Sequence, residues 1–436
     1  MPDLLRGLIV LSFVIDILPL QAQPTSTLSS DTLVCRELSS IGVTFSNDNN
    51  VELLMSGQQK FDRLFADIRQ ARHSVHLEYF NFRNDSIASL LFDILRQKRR
   101  EGVEVRALFD GFGNDSNNQP LRRKHIKALR ADGIDIHEYD PLRFPWINRI
   151  WPRDHRKIVI IDGHIGYTGG MNVADYYIKG TEQVGEWRDM HCRLEGSAVN
   201  QLQYIFTRIW QKVTGEDITL QPQYYRGGNT KGEYYRGGNT KGGNKQVAII
   251  NREPGTVTDS RGQLLGQNDI IRRFYISALD AAKDSVKIIN PYFTLTSSIN
   301  HALKRAIRRG VQVDILVSAK SDIPLTPDCV FYNVHRLMKH GARVWFYEPG
   351  FHHSKIMTVD GRFCTVGSAN LDARSLRFDY EDNAVIMDRE TTARLDSMFC
   401  ADKQRSFRLT EQKWNEFRTP WQKFRGWFGH LLRPLL

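Results

Sequence analysis

Two stretches of this chain carry histidine, lysine and aspartate at the same His-x-Lys-x4-Asp spacing. The first copy is His155, Lys157 and Asp162, and the second copy is His353, Lys355 and Asp360. Residues two apart on a strand project to the same face, so each imidazole points the same way as its lysine ammonium group. The apolar residues 158–161 and 356–359 anchor both strands in a core, and an Asp-Gly turn closes each one.

The side chains around the two copies favour phosphate chemistry. Each copy is followed by a short strand and then by an asparagine, Asn172 in the first and Asn370 in the second, with Ser368 two positions before the latter. Two ammonium groups and two amide donors can hold the non-bridging oxygens of a phosphate. The same ammonium groups would repel a divalent cation, so we expect neither a metal ion nor another cofactor.

Two histidines at one site can divide the work of phosphodiester transfer. A neutral imidazole attacks phosphorus, and a protonated imidazole donates to the leaving alcohol. Each ring needs a carboxylate to fix its tautomer. The candidates downstream of the two motifs are Asp189 and Glu381. All six motif residues count as candidate catalytic residues, although we interpret Asp162 and Asp360 as structural carboxylates at strand ends.

The order of predicted elements around the motifs occurs twice. The pattern predicts helix, strand, helix and strand over residues 61–71, 75–82, 87–100 and 103–109, and again over residues 270–282, 286–293, 299–309 and 311–317. Alternating strands and helices with Gly at helix ends indicate an α/β fold with mostly parallel mixed sheets flanked by helices. We therefore predict two similar lobes related by a pseudo-twofold, packed face to face with one active site between them.

The predicted domains follow from this repeat. Residues 1–22 form a signal peptide or N-terminal anchor, residues 23–245 the first lobe, residues 246–405 the second lobe, and residues 406–436 a basic and aromatic tail. The apolar run after Arg6 is too short and interrupted for a clear membrane span, and it fits an export signal better than an uncleaved anchor or a buried helix. We expect a membrane-associated protein of the cell envelope.

Composition narrows the class of partner. The chain has 436 residues, a formal net charge of +11 and 41% hydrophobic residues, which is a globular composition with a preference for anionic partners. Five scattered cysteines form no C-x-x-C pair, so a disulfide framework or a structural zinc site is not expected. Charge alone does not separate nucleic acid, an anionic membrane and an anionic lipid.

Two further segments suggest contacts outside the active site. The tandem YYRGGNTKG at residues 224–232 and 234–242 has the composition of a flexible linker between the lobes. Basic residues alternate with Trp and Phe in the tail from Trp414 to Leu436, and apolar and aromatic residues also precede the first motif at residues 142–147. The tail suits either the interface of an anionic bilayer or ordinary packing of a terminal helix on the core.

The motifs together resemble the phospholipase D superfamily, and their surroundings resemble bacterial cardiolipin synthases. The resemblance is carried by residues 76–85 (HLEYFNFRND), 104–113 (EVRALFDGFG), 155–163 (HRKIVIIDG), 187–199 (WRDMHCRLEGSAV), 289–293 (INPYF) and 367–375 (GSANLDARS). It extends from about residue 60 to the C-terminus. A single short apolar segment at the N-terminus departs from the two membrane spans that are common in this family, and the tandem insertion is not part of its pattern.

The resemblance implies transfer of a phosphatidyl group without a metal. One phosphatidylglycerol would donate its phosphatidyl group to His155, the usual nucleophile of the family, and His353 would serve as acid and base. The hydroxyl of a second phosphatidylglycerol would then accept the group, forming cardiolipin. The alternatives are a phospholipase D that uses water as acceptor, a phosphodiester nuclease and a non-catalytic binding module. We expect an anionic phospholipid and a membrane surface as partners, and no nucleic acid.

Overall fold

The duplicated order of elements is present in the computed structural model, which describes residues 28–141, 152–225, 243–258, 264–267, 269–323 and 326–432. Several predicted features lie outside these residues: the segment 1–22, the aromatic stretch 142–147, nearly all of the tandem insertion and the last four residues of the tail. In the part of the chain that is described, no helix has both the length and the apolar character needed to cross a membrane.

The first half contains seven helices and eight strands within the described residues. In chain order they are α1 (Ser30–Ser40), β1 (Ser46–Leu54), α2 (Gly57–Gln70), β2 (Ser74–Tyr79), α3 (Ser86–Arg100), β3 (Glu104–Asp110), α4 (Gly111–Asp115), α5 (Arg123–Ala131), β4 (Asp135–Tyr139), β5 (Ile158–Ile161), β6 (Ile165–Gly169), α6 (Tyr176–Lys179), β7 (Glu186–Arg188), β8 (His191–Glu195) and α7 (Ala198–Thr214). A short 3-10 helix, Pro222–Tyr224, follows α7.

The second half repeats this order. Its elements are β9 (Lys245–Arg252), β10 (Thr256–Thr258), β11 (Leu264–Gln267), α8 (Ile270–Ala281), β12 (Ser285–Ile289), α9 (Ser297–Arg308), β13 (Gln312–Ser318), α10 (Thr326–Lys339), β14 (Arg343–Tyr347), β15 (Gly350–His352), β16 (Ile356–Val359), β17 (Phe363–Gly367), α11 (Ala373–Arg377), β18 (Glu381–Met387), α12 (Arg389–Gln404), β19 (Ser406–Arg408), α13 (Glu411–Phe417) and α14 (Pro420–Leu432). Strand β9, the first strand of this half, begins at Lys245.

One mixed sheet of fifteen strands runs through the described residues, in the order β19-β14-β13-β12-β16-β17-β18-β9-β1-β8-β6-β5-β2-β3-β4. The predicted α/β architecture of helices around mixed sheets is confirmed, but the expectation that the strands are mostly parallel is wrong. Only β2, β3 and β4, and likewise β12, β13 and β14, pair in parallel along this sheet. The remaining neighbours are antiparallel, because short turns rather than helical crossovers connect strands such as β5 and β6, or β16 and β17.

Local sequence explains where the repeated elements end. The Asp85 side chain caps α3 by accepting from the amide of Ala88, and Gly102 follows that helix with φ of 87°, a conformation that glycine adopts without strain. The strands predicted to reach Phe82 and Phe293 stop earlier, at Tyr79 and Ile289. In the second case Pro291 lies just beyond the strand, and its nitrogen cannot donate to a sheet.

The halves share their cores. One apolar cluster is built from the first half and one largely from the second, while a third combines both, with Leu194 and Phe206 packed in the same cluster as Ile249 and Ile356. Helix α1 precedes the first half in the chain but packs in the cluster of the second half through Val34. Strands β1 and β9 pair directly, so the sheet is continuous between the halves. This shared packing fixes the two motifs relative to each other.

Candidate active site

Each motif is held by backbone pairing with the opposite half of the chain. His155 donates its amide to the carbonyl of Tyr380 at 3.0 Å, next to a bridge between Asp154 and Tyr380. In the same way, β15 pairs in parallel with β7, and His353 donates its amide to the carbonyl of Arg188 at 2.6 Å. Both anchoring residues, Tyr380 and Arg188, immediately precede a predicted carboxylate.

The two histidines contact carboxylates across the interface between the halves. His155 Nδ1 lies 3.0 Å from Glu381 Oε1, and His353 Nδ1 lies 2.7 Å from Asp189 Oδ2. Both carboxylates are fully buried, and the side chains of His353 and His155 are 8% and 15% exposed. The sequence placed one carboxylate downstream of each motif. The structure pairs each histidine with the carboxylate of the other half, so the two motifs contribute to a single site.

The motif lysines lie beside their histidines. Lys355 Nζ is 3.0 Å from His353 Nε2 and donates to the carbonyl of His353 at 2.6 Å. The Lys157 ammonium group likewise donates to the carbonyl of His155. Burial lowers the pKa of Lys157 to about 7 and that of Lys355 to about 8. A bound phosphate would reverse part of this shift, because its negative charge favours the protonated amines.

Burial also sets the protonation of the paired groups. It lowers the pKa of His155 well below its usual value, and Lys157 and Lys355 act in the same direction. Burial and Lys355 lower the pKa of His353 to about 4. Burial raises the pKa of Glu381 to about 7, whereas His353 and Lys355 overcome the effect of burial at Asp189 and hold its pKa below the usual value. Without substrate the site therefore favours neutral imidazoles.

The residues after each motif support the carboxylates. The Ser368 hydroxyl donates to Glu381 and accepts from the amide of Asp382 at 3.0 Å. Gly170 occupies the matching position in the first half, where an added Cβ would come within 2.2 Å of Asp189 Oδ1. Serine therefore fits beside Glu381 in one half, while the close approach of Asp189 requires glycine in the other.

The two predicted asparagines are buried near this site. Asn172 Oδ1 accepts from the amide of Asn81 at 3.4 Å, and its backbone carbonyl accepts from the buried Lys60 ammonium group at 3.0 Å. Asn370 is 5% exposed, and its Oδ1 has no hydrogen-bond partner among the residues described. An unsatisfied buried amide oxygen is costly, so Asn370 keeps a polar atom available for a ligand or a water molecule.

Aromatic side chains surround His353, and sequence reasoning did not single them out as site residues. The ring centroids of Trp187, Tyr292 and Phe351 lie 5.6, 5.9 and 5.5 Å from that of His353. On the other side, Phe80 lies 5.1 Å from His155. In the sequence, Trp187 lies two residues before Asp189, and Tyr292 lies in the NPYF segment that contributes to the family resemblance. These positions were the one indication that the two rings belong to the site.

The motif aspartates do not join the histidines. The Asp162 carboxylate accepts from the amides of Arg72, His73 and Ser74 at 2.8, 2.7 and 2.9 Å, at the opposite end of β5 from His155. Asp360 makes the equivalent contacts with residues 283–285. Both have positive φ, 53° and 52°. Their inclusion among candidate catalytic residues is not supported by this geometry, which agrees with the interpretation as strand-end carboxylates.

We expect Asp162→Ala to destabilise the fold while leaving the chemistry of the folded molecules intact. The substitution removes three hydrogen bonds to a charged acceptor and places a Cβ-bearing residue without a polar group at positive φ. The free energy of unfolding should fall by about 2 kcal/mol. Denaturant unfolding and turnover per folded molecule measure the two effects separately.

The matched control is Asp62→Ala, because Asp62 is an exposed carboxylate that accepts hydrogen bonds from Gln58, one turn away on α2. We expect almost no change in unfolding for this variant. Asp162→Asn keeps one acceptor oxygen and tolerates positive φ, so it should lie between the alanine variant and the unsubstituted protein. If Asp162→Ala lost turnover while its free energy of unfolding stayed unchanged, Asp162 would instead be a catalytic residue.

Comparison with known proteins identifies this arrangement. Residues 64–210 and 275–403 match the family model described as "Cardiolipin synthase, PLD-like domain". The chain belongs to that family. Among its relatives, the cardiolipin synthase of Oceanobacillus iheyensis is 33% identical over 93% of this chain and 79% of its own length. Cardiolipin synthase 2 of Staphylococcus epidermidis is 34% identical over 90% of this chain and 75% of its own length.

Solved structures share the fold of this phospholipase D-like family member at low sequence identity. The phosphatidylserine synthase of Haemophilus influenzae aligns with a TM-score of 0.67 and 14% identity, covering 92% of this chain and all of its own. The polyphosphate kinase of Porphyromonas gingivalis aligns with a TM-score of 0.51 and 11% identity, covering 81% of this chain and 50% of its own. The predicted phospholipase D-like fold is therefore confirmed.

Proposed function

We propose that this chain is a phosphatidyltransferase that forms cardiolipin from two molecules of phosphatidylglycerol and releases glycerol. The observation that carries the proposal is the pair of His–carboxylate contacts, each with a lysine ammonium group beside it, at one site shared by both halves. Membership of the cardiolipin synthase family and relatives of that name support phospholipids as the substrates.

In the first half of the reaction, His155 Nε2 attacks the phosphorus of one phosphatidylglycerol. A nitrogen–phosphorus bond forms, and the bond from phosphorus to the glycerol oxygen breaks. The negative charge of the bound phosphate raises the pKa of His353 from its low value in the empty site, and protonated His353 donates its proton to that oxygen, so glycerol leaves as a neutral alcohol. Burial and the surrounding cations keep the pKa of His155 low, which supports a neutral nucleophile, and Glu381 holds the Nδ1 proton so that Nε2 carries the lone pair.

In the second step of the reaction, a hydroxyl of another phosphatidylglycerol attacks the phosphorus of the phospho-histidine. His353 now accepts the hydroxyl proton, while Asp189 stabilises the imidazolium that forms. The nitrogen–phosphorus bond breaks, and His155 returns to its starting state with cardiolipin as the product. The opposite roles of His353 in the two steps follow from microscopic reversibility of proton transfer.

The lysines and asparagines hold the phosphate throughout. Lys157 and Lys355 neutralise the negative charge that develops on the non-bridging oxygens, and the buried amides of Asn172 and Asn370 offer further polar contacts. Because two ammonium groups occupy the place where a divalent cation would bind, turnover is expected without added metal.

Hydrolysis to phosphatidic acid would use the same residues with water as the acceptor. The side chains around His353 favour a lipid acceptor, because the ring centroids of Trp187, Tyr292 and Phe351 lie 5.5 to 5.9 Å from that of the imidazole that accepts the proton of the acceptor hydroxyl. Apolar surface beside this base limits the access of water to it.

The proposed substrates are membrane lipids, so the protein works at a membrane surface of the bacterial cell envelope. The net charge of +11 supports attraction to a bilayer rich in anionic phosphatidylglycerol. We retain residues 1–22 as an export signal or an N-terminal anchor in this proposal, on the basis of their sequence pattern.

The test is the reaction itself. Purified full-length protein is incubated with phosphatidylglycerol vesicles in the presence of EDTA, and the lipids and free glycerol are quantified over time. We expect cardiolipin and glycerol in equal amounts. Phosphatidic acid without cardiolipin would replace the synthase proposal with the hydrolase, and dependence on added Mg²⁺ or Ca²⁺ would contradict the metal-independent mechanism.

A further inference from the structure

The C-terminal tail divides at about residue 418 into a packed part and an exposed part. On α13, Trp414 is 5% exposed and stacks on His335 with ring centroids 4.1 Å apart, and Phe417 packs against Phe331 and Phe346. On α14 the aromatic side chains are exposed instead. The two alternatives left by the sequence, core packing and a bilayer contact, therefore apply to different helices.

One face of α14 is apolar and open. Nine large hydrophobic side chains are exposed among the residues described, and five of them lie on this helix: Trp421, Phe424, Trp427, Phe428 and Leu431, with exposures between 44% and 63%. Their spacing of three or four residues places them on one side. Trp421, Phe424 and Trp427 also contact each other in sequence, with ring centroids 5.5 and 5.7 Å apart. The other four exposed residues are isolated aliphatic side chains on other parts of the fold.

The opposite face of α14 is fixed to α10. A Cβ added at Gly426 would come within 2.4 Å of the carbonyl oxygen of Asp328, so the two helices approach closely there. Arg425 forms an ion pair with the Asp328 carboxylate, and His430 Nδ1 lies 2.6 Å from Asn333 Oδ1. The helix is thus docked by its polar and glycine side, and its aromatic side is held outward.

The charge around this face complements an anionic surface. Helix α14 contains Lys423 and Arg425 but no aspartate or glutamate. Arg425 is paired with Asp328, whereas the Lys423 ammonium group contacts the uncharged side chain of Asn415 at 2.7 Å and keeps its positive charge for an anionic lipid. Trp and Phe are the side chains that partition into the headgroup region of a bilayer, and nearby lysine and arginine add attraction to anionic lipids. An interface with another protein copy would not require this exclusion of acidic residues.

We propose that the aromatic face of α14 is the surface that rests on an anionic bilayer while the active site handles lipid. This inference builds on the proposed function, in which the substrates are anionic membrane lipids. The helix lies in the plane of the interface, with the rings among the headgroups and its Gly426 side against α10. It contributes to binding the membrane and does not touch the reacting atoms.

The test is flotation of the full-length protein with vesicles of equal parts phosphatidylglycerol and phosphatidylcholine. The variant Trp421→Ser/Phe424→Ser/Trp427→Ser should bind these vesicles roughly tenfold more weakly or worse, since it loses three exposed rings. Leu90→Ser/Ile178→Ser/Leu220→Ser, which removes exposed apolar residues elsewhere, is the matched control and should bind as the unsubstituted protein does. Residues 1–22 are present in all three proteins, so they do not account for a difference between them.

Two readouts separate this inference from the proposed function. On detergent-dispersed phosphatidylglycerol the α14 variant should form cardiolipin at the normal rate, because the site is unchanged. In the unsubstituted protein, brominated phosphatidylglycerol should quench part of the tryptophan fluorescence, and Trp421→Phe/Trp427→Phe should lose that part. Unchanged vesicle binding in the triple variant, or a change only in its oligomeric state without lipid, would contradict the proposal that α14 binds the membrane. Absence of cardiolipin with normal vesicle binding would overturn the proposed function alone.

Discussion

His155→Ala should reduce cardiolipin formation on the order of 10⁴-fold or more, because it removes the atom that bonds to phosphorus. His353→Ala should reduce it roughly 10²- to 10⁴-fold, since it removes only proton transfer. The two roles separate with an activated phosphatidyl donor whose leaving group is p-nitrophenol. That group leaves without a proton, so His353→Ala should still release one equivalent of p-nitrophenol in a burst, whereas His155→Ala should release none.

Acid quenching, followed by detection of a phosphatidyl group bound to the protein, measures the phospho-histidine intermediate directly. His301→Ala is the matched control, because His301 is exposed on α9, and its turnover should be unchanged. A burst in His155→Ala together with its absence in His353→Ala would reverse the assignment of nucleophile and acid. Bursts in both variants would contradict a phospho-histidine mechanism.

The second large effect is expected at the carboxylates. Glu381→Gln and Asp189→Asn keep the shape of each side chain but lose the charge that fixes the tautomer of its histidine. Turnover with phosphatidylglycerol should fall roughly 10²- to 10⁴-fold in each variant. With the p-nitrophenol donor only Glu381→Gln should slow the burst, because Glu381 contacts the nucleophile and Asp189 contacts the acid.

This comparison tests the crossed pairing itself. If each carboxylate served the histidine of its own half, Asp189→Asn would slow the burst and Glu381→Gln would not. Glu182→Gln, an exposed glutamate in the segment before β7, is the control for charge loss and should behave as the unsubstituted protein does. Unfolding curves accompany each variant, because removal of a buried charge also changes stability.

The sequence predicted the repeated elements well because each is encoded locally. Hydrophobic periodicity placed α3 within one residue, at 87–100 against Ser86–Arg100, and β13 within one residue as well. The sequence predicted a carboxylate for each histidine because the motif chemistry is specific and its order repeats, and the structure places Glu381 and Asp189 beside the two imidazoles. Parallel pairing was overestimated, since a strand's own residues do not reveal which neighbour it joins.

The contacts between the two halves could not be predicted from the sequence of either half alone. The pairing of His155 with Glu381 spans 226 residues, and the pairing of His353 with Asp189 spans 164. Both depend on backbone bridges to Tyr380 and Arg188, in which any residue with a carbonyl would serve. The aromatic wall around His353 was missed for a related reason: Trp187, Tyr292 and Phe351 come from three separate segments and look like ordinary core residues in sequence.

The pairing of each histidine with a carboxylate of the other half has a consequence for incompletely synthesised chains. In the proposed mechanism a histidine acts only with the carboxylate of the other half, so a chain that ends before Glu381 contains no nucleophile with its partner. In that mechanism, full phosphatidyl transfer therefore requires that both halves have been synthesised and have folded together.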